Sequence, residues 1–187
     1  MREISGGVIF LDRDGTINVD TGYVFRPDEL ELIPGAANAI AELRRAGYKI
    51  VVVSNQSAIG RGMCDATDVD LTNQRLRDLL LKASPGAHLD AIFYSPHHPD
   101  DPKNTRKPGL GLLPQIREQF DFEPKHCWMI GDKLSDVEFG QNVGLPPSHC
   151  ILLTSGAKTS REQNASQHLV FPSIAEAAQY IVSDISE

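Results

Sequence analysis

Two aspartates two positions apart, in Asp12-Arg13-Asp14-Gly15-Thr16, directly follow the apolar run Val8 to Leu11. Carboxylates gathered at the end of a buried segment repel one another and lose hydration, so they call for a balancing cation. A hard divalent ion with oxygen ligands is the natural partner. Three other segments carry matching chemistry. Ser54 closes the aliphatic run Ile50 to Val53 and opens Ser54-Asn55-Gln56-Ser57, offering a hydroxyl to a phosphoryl oxygen. Arg106-Lys107-Pro108 offers cations that can offset charge building on phosphorus. Gly131-Asp132-Lys133-Leu134-Ser135-Asp136 adds a carboxylate able to complete a metal site, while Asp136, one helical turn on, either caps a helix or orients Lys133 or Lys107. Taken singly, each has a plain structural reading: an acidic turn, a turn-forming polar residue, a solvated basic pair.

Short β-rich runs alternating with helical stretches would position these residues. Strands are predicted over 8–11, 48–53, 91–94, 127–130 and 150–153. Helices are predicted over 35–46, with Gly47 as the stop, and over 65–82, 110–119, 134–143 and 174–185. A proline-rich loop spans Ser95 to Pro108. The alternation predicts an α/β fold, a Rossmann-like parallel sheet with helices on both faces. Ligands of such sheets sit beyond the carboxyl ends of the strands. Asp12, Asp14, Ser54 and Asp132 all fall there.

Length and charge bound the function. At about 150 residues per domain, 187 residues predict a single domain over 1–187. Lys plus Arg is 18 against 25 for Asp plus Glu, a net charge of −7, which argues against a nucleic-acid partner but leaves room for a small anionic ligand in a locally cationic pocket. Cys64, Cys127 and Cys150 form no paired framework, and the residues from Met1 to Gly7 lack the apolar core of a signal peptide, which predicts a cytoplasmic location. The longest solidly aliphatic run, Ile50 to Val53, is far short of the ~20 residues that cross a bilayer, so no membrane partner is expected.

Together, the stretches Phe10 to Val24, Val51 to Gly62, Tyr94 to Pro99, Arg106 to Pro108 and Gly131 to Asp136 resemble the haloacid dehalogenase superfamily of phosphotransferases, over about residues 7 to 155. Within it they are most similar to the heptose-bisphosphate phosphatases of the histidinol-phosphatase-related branch. The resemblance implies Asp12 as nucleophile and Asp14 as general acid and base. It implies magnesium held by the Asp12 carboxylate, the Asp14 backbone carbonyl and Asp132, with Ser54 and Lys107 holding the transferring phosphoryl group. Asp20, Tyr23, Asn55, Gln56, Arg106 and Lys133 would bind the substrate, Arg106 gripping a second phosphate. The implied reaction removes the C7 phosphate of a heptose 1,7-bisphosphate, leaving the 1-phosphate for nucleotide-activated heptose synthesis. Histidinol phosphate is the alternative substrate, and a catalytically idle phosphate-binding module the alternative of another class. A DNA-end phosphatase runs against the acidic balance.

Two expectations concern what the chain lacks. Many superfamily members carry a cap domain, but here the spans between motifs are filled by predicted core elements, so a capless monomer is expected. Relatives in this branch often hold a structural zinc in the loop before Arg-Lys-Pro, with a Cys-x-His and a Cys-x-Cys. Here Ser95 takes the first cysteine's place, and no cysteine lies between Cys64 and Cys127. His97 and His98 alone cannot fill a four-ligand site, so no structural zinc is expected, and proline rigidity with local hydrogen bonds would hold the loop instead.

Overall fold

The computed structural model describes residues 7–154 and 168–184. Among the described residues, six parallel strands form one sheet in the order β3-β2-β1-β4-β5-β6: β1 Val8–Leu11, β2 Lys49–Asn55, β3 Ala91–Ser95, β4 Trp128–Gly131, β5 Cys150–Leu153 and β6 Leu169–Phe171. The helices are α1 Ala36–Arg45, α2 Ser57–Gly60, α3 Ala66–Ala83, α4 Leu113–Gln119, α5 Leu134–Val143 and α6 Ile174–Asp184.

Strand alternation builds two cores. Ile9, Leu11, Ile50, Val52, Trp128, Ile130, Ile151 and Leu153 face one side, where residues of α1, α3 and α6 cover them. Val8, Phe10, Val51, Val53, Met129, Cys150 and Leu152 face the other, against Ile116 of α4 and Val137, Phe139 and Val143 of α5. Each fully buried aliphatic contributes about 1.5–3 kcal/mol relative to exposure. The chain runs outward from β1 to β3 and then returns to β4 on the opposite side of β1. Parallel crossovers are right-handed, so reversing direction sends α4 and α5 to the face opposite α1 and α3. That reversal at β1 opens the crevice where such sheets bind ligands.

The predicted sheet with helices on both faces is present, and four differences have physical reasons. β2 and β3 run on to Asn55 and Ser95, because Ser54 and Asn55 stay in parallel register with Tyr94 and Ser95. Helix α4 starts at Leu113 rather than 110, with a proline in its first turn, where the missing N–H costs nothing. The short helix α2 and the sixth strand were not foreseen, since four- and three-residue elements are too short to show a period. Residue 185 of the closing helix lies outside the described residues.

Candidate active site

After β1 the backbone makes one more sheet bond, Asp12 N–H to Ile130 O at 3.0 Å, and then turns sharply. The Arg13 carbonyl accepts from the N–H groups of Thr16, Ile17 and Asn18. Gly15 sits at φ +85°, and a Cβ there would lie 2.3 Å from Asp132 Oδ2, so only glycine lets this turn lie against the acid at the end of β4.

At the foot of the crevice three acids converge. Carboxylate oxygens of Asp12, Asp132 and Asp136 lie within 4.8 Å of one another, all buried. The Lys107 ammonium bridges two of them, 2.7 Å from Asp12 Oδ1 and 2.7 Å from Asp136 Oδ1. Burial disfavours this ammonium, yet the two carboxylates outweigh it and hold its pKa above the ordinary lysine value. The other oxygen of Asp136 accepts the Lys133 backbone N–H at 3.0 Å, at the start of α5. Asp136 thus caps the helix and orients Lys107 at once. Asp132 differs: its Oδ1 is buried with no hydrogen-bond partner. Burial, then the Asp12 charge, pushes its carboxyl up to about 7, against a weaker opposing pull from Lys133. A buried carboxylate oxygen with no hydrogen bond, only Lys133 Nζ at 3.9 Å and a second carboxylate beside it fits a hard divalent cation. Magnesium therefore fits Asp12 and Asp132, while Asp136 is committed to Lys107 and the helix.

Asp14 has a separate set of partners. Its oxygens accept from Arg13 Nε at 3.1 Å and Nη2 at 3.0 Å, from Asn18 Nδ2 at 2.9 Å and from Gln56 Nε2 at 2.9 Å. Gln56 Nε2 also donates to Ser54 Oγ at 2.8 Å, which leaves the Ser54 hydroxyl hydrogen for another acceptor. Arg13 is fully buried and also binds Asn73 of α3 at 2.9 Å and the Val24 carbonyl.

A cleft of about 280 Å³ opens above, walled by Asp14, Asp20, Tyr23, Asn55, Gln56, Arg106, Lys107 and Lys133 among others. Asp12, Ser54 and Asp132 lie buried behind that wall. Several residues predicted to bind substrate hold the site's own frame. Asn55 clamps the Lys107 backbone at two points, Nδ2 to the carbonyl at 3.1 Å and Oδ1 from the N–H at 2.9 Å. Asp20 accepts the Gly22 N–H at 2.8 Å and lies 3.3 Å from Lys133 Nζ. Tyr23 is exposed at the mouth, with the Arg61 guanidinium 5.8 Å above its ring. Burial, then the Arg61 charge, lowers the pKa of Arg106. Arg106, Lys107 and Lys133 give the wall its cations.

The loop from Ser95 to Pro108 does not fit a zinc site. Among the described residues, the only group of three or more His, Cys, Asp or Glu side chains placed to hold an ion is the aspartate cluster. His97 Nδ1 is taken up by the Thr105 backbone N–H at 3.3 Å.

With this geometry in view, the comparisons are decisive. The chain is 40% identical over 181 residues to the D-glycero-D-manno-heptose-1,7-bisphosphate 7-phosphatase of Chlorobaculum tepidum, covering 90% of this chain and 87% of the relative. It is 35% identical over 181 residues to the D-glycero-beta-D-manno-heptose-1,7-bisphosphate 7-phosphatase of Photorhabdus laumondii subsp. laumondii, covering 92% and 94%. This chain belongs to the haloacid dehalogenase superfamily, in its heptose-bisphosphate phosphatase family. A HAD-hydrolase-like family model matches residues 104–177 of it. Among solved structures, the D,D-heptose 1,7-bisphosphate phosphatase of B. bronchiseptica, complexed with magnesium and phosphate, aligns with TM-score 0.83 at 31% identity, covering 95% of this chain and 99% of that one.

For this phosphomonoester hydrolase of the superfamily, sequence reasoning missed Arg13, Asn18 and Asn73. Arg13 carried a signal, being a cation set between two acids just after a buried strand. Asn18 and Asn73 carried none, because their roles depend on where the loop and α3 fall in space.

Proposed function

We propose that this chain removes the 7-phosphate of D-glycero-D-manno-heptose 1,7-bisphosphate, with Asp12 as nucleophile. The observation that carries the reading is the buried Asp12 carboxylate, salt-bridged to Lys107 and set beside an Asp132 oxygen that has no hydrogen-bond partner and only Lys133 Nζ at 3.9 Å, at the foot of a cation-rimmed cleft. An Asp12 oxygen attacks phosphorus, the bond from phosphorus to the sugar oxygen breaks, and Asp14 supplies the proton that oxygen needs. A water then attacks the aspartyl-phosphate, Asp14 takes its proton, and phosphate leaves as Asp12 is freed. Lys107 and the Ser54 hydroxyl offset the charge on the phosphoryl oxygens. Asp12, Asp132 and the Asp14 carbonyl would hold magnesium, which would supply Lewis-acid neutralisation of the phosphate when bound. Arg13, Asn18 and Gln56 fix the Asp14 carboxyl in place through both of its oxygens.

Specificity rests on the mouth. Arg106 and Lys133 face an anion entering beside Tyr23, which suits a sugar carrying a second phosphate. The same reading has the product 1-phosphate feed nucleotide activation of the heptose. It also has the chain act as a single-domain cytoplasmic monomer without structural zinc. Its three unpaired thiols support a reducing compartment, and no helix among the described residues is long and apolar enough to cross a membrane. The test is steady-state hydrolysis of both heptose bisphosphate anomers, histidinol phosphate and several hexose phosphates. A heptose bisphosphate should show the highest kcat/KM, and a preference for histidinol phosphate would move the chain to the other activity of its branch.

A further inference from the structure

Lys107 and Arg106 are neighbours in sequence but are held by different means. Lys107 is fixed by the Asn55 clamp on its backbone and by Asp12 and Asp136 on its ammonium. Arg106 reaches no carboxylate among the described ion pairs. Its backbone N–H donates to Asn104 Oδ1 at 3.2 Å, and its Nη1 lies 3.4 Å from the His97 carbonyl. The position of Arg106 therefore follows the position of the 95–105 loop.

That loop is closed by three side chains. Thr105 Oγ1 lies 2.9 Å from Ser95 Oγ, and His97 Nδ1 lies 3.3 Å from Ser95 Oγ and 3.1 Å from Thr105 Oγ1. The Thr105 backbone N–H also points at Nδ1, at 3.3 Å. A backbone N–H only donates, so Nδ1 must accept, and the neutral ring carries its proton on Nε2. With that polarity set, Thr105 Oγ1 donates to Ser95 Oγ, and the Ser95 hydroxyl shares the single Nδ1 lone pair with the Thr105 N–H, which closes the ring of contacts. Two tight approaches wedge the loop. A Cβ on Gly60 of α2 would lie 2.3 Å from the His98 nitrogen, and one on Gly111 would lie 2.6 Å from the Thr105 Cα.

We propose that Ser95, His97 and Thr105 form a hydrogen-bonded brace that positions Arg106 for the second phosphate of the substrate. They are positioning residues, since none of them lines the cleft. The proposal rests on the bisphosphatase reading above. Because Lys107 has its own anchors, loosening the brace acts on substrate affinity and spares the chemical step.

The brace is tested in the full chain by two measurements. Long-range proton–nitrogen correlation NMR reads the His97 tautomer, and exchange of the Thr105 amide reads the closed ring, both without any substrate. Neutral His97 protonated on Nε2 and a protected Thr105 amide are expected. Steady-state kinetics then compare His97→Ala with His97→Asn, whose Oδ1 can take the place of Nδ1. His97→Ala should raise KM for the heptose bisphosphate about tenfold or more with a much smaller change in kcat, and His97→Asn should restore most of the loss. A heptose 7-monophosphate, lacking the second phosphate, should show little effect of either change. If His97→Ala does not fold, Thr105→Val removes one hydroxyl at nearly constant volume and should give the same KM pattern. A proton on Nδ1, an unprotected Thr105 amide, an unchanged KM or an equal loss in His97→Asn would overturn the brace. Wild type failing to turn over the bisphosphate would overturn the functional reading, while the NMR and exchange results would still decide whether the ring exists.

Discussion

Lys107 Nζ and Asp12 Oδ1 meet 2.7 Å apart in a site where both side chains are almost wholly buried. An ammonium so placed neutralises the proposed nucleophile at rest and faces the phosphoryl oxygens as they gain charge. Lys107→Ala should therefore lower kcat by roughly 10² or more, as loss of a preorganised donor to the transition state does. It should also lower stability by about 3 kcal/mol, because Asp12 and Asp136 are left buried without their cation. Phosphate-release assays and denaturant melts on one preparation check both effects. A variant as active as wild type would remove Lys107 from the site.

Arg106→Ala should act differently. Its guanidinium stands at the mouth rather than on the reacting phosphate, so KM for a bisphosphate should rise while kcat changes little. Comparing bis- and monophosphate substrates reads this directly. Equal kinetic signatures for the Arg106 and Lys107 variants would contradict the division between them.

Arg13 shows what sequence reading reaches and where it stops. Asp12, Asp14, Ser54 and Asp132 could be located because apolar runs mark strands, and polar residues at their carboxyl ends stand out. Arg13 lies inside the same motif, yet its charge reads as solvated until the structure buries it against Asp14, Asn73 and the Val24 carbonyl. Asn55 and Gln56 line the cleft, but their amides serve Lys107 and Asp14, which depends on distances across 52 and 42 residues of chain. The sixth strand, at three residues, has no periodicity to read.

Arg13→Gln follows from that arrangement. It should lower kcat by about 10², the usual scale of a displaced general acid–base group, with KM little changed. The loss follows from Asp14 giving up its two-point contact with the guanidinium. A folded variant with unchanged kcat would show that Arg13 supports only the fold.

Magnesium and pH should be linked through Asp132. Burial, then the Asp12 charge, raises its carboxyl from 3.8 to about 7, so the folded state binds this proton more tightly than the unfolded chain does. That contribution to stability is full below the unfolded value and is lost as pH rises through about 7. A divalent ion takes the proton's place. Saturating magnesium should therefore raise Tm more near pH 8 than near pH 6, where it competes with the proton. Thermal melts with and without the ion at both pH values measure this, and Asp132→Asn should abolish the magnesium shift. An equal shift at both pH values would contradict the assignment.

The loop from Ser95 to Pro108 should need no metal. Elemental analysis of the purified protein should find no stoichiometric zinc, and EDTA-treated protein should regain full activity with magnesium alone. About one tightly held zinc per chain, with unfolding on its removal, would refute the hydrogen-bonded loop.

The central claim is that Asp12 attacks phosphorus on a heptose bisphosphate. Asp12→Asn is nearly isosteric but cannot form the aspartyl-phosphate. The deciding measurement is phosphate release from D-glycero-D-manno-heptose 1,7-bisphosphate by wild type and Asp12→Asn, with the Tm of each recorded alongside. Wild type should release the 7-phosphate and leave the 1-phosphate, while the variant should stay folded and lose turnover. Turnover by a folded Asp12→Asn within about tenfold of wild type, a barrier change of only about 1.4 kcal/mol, would contradict it.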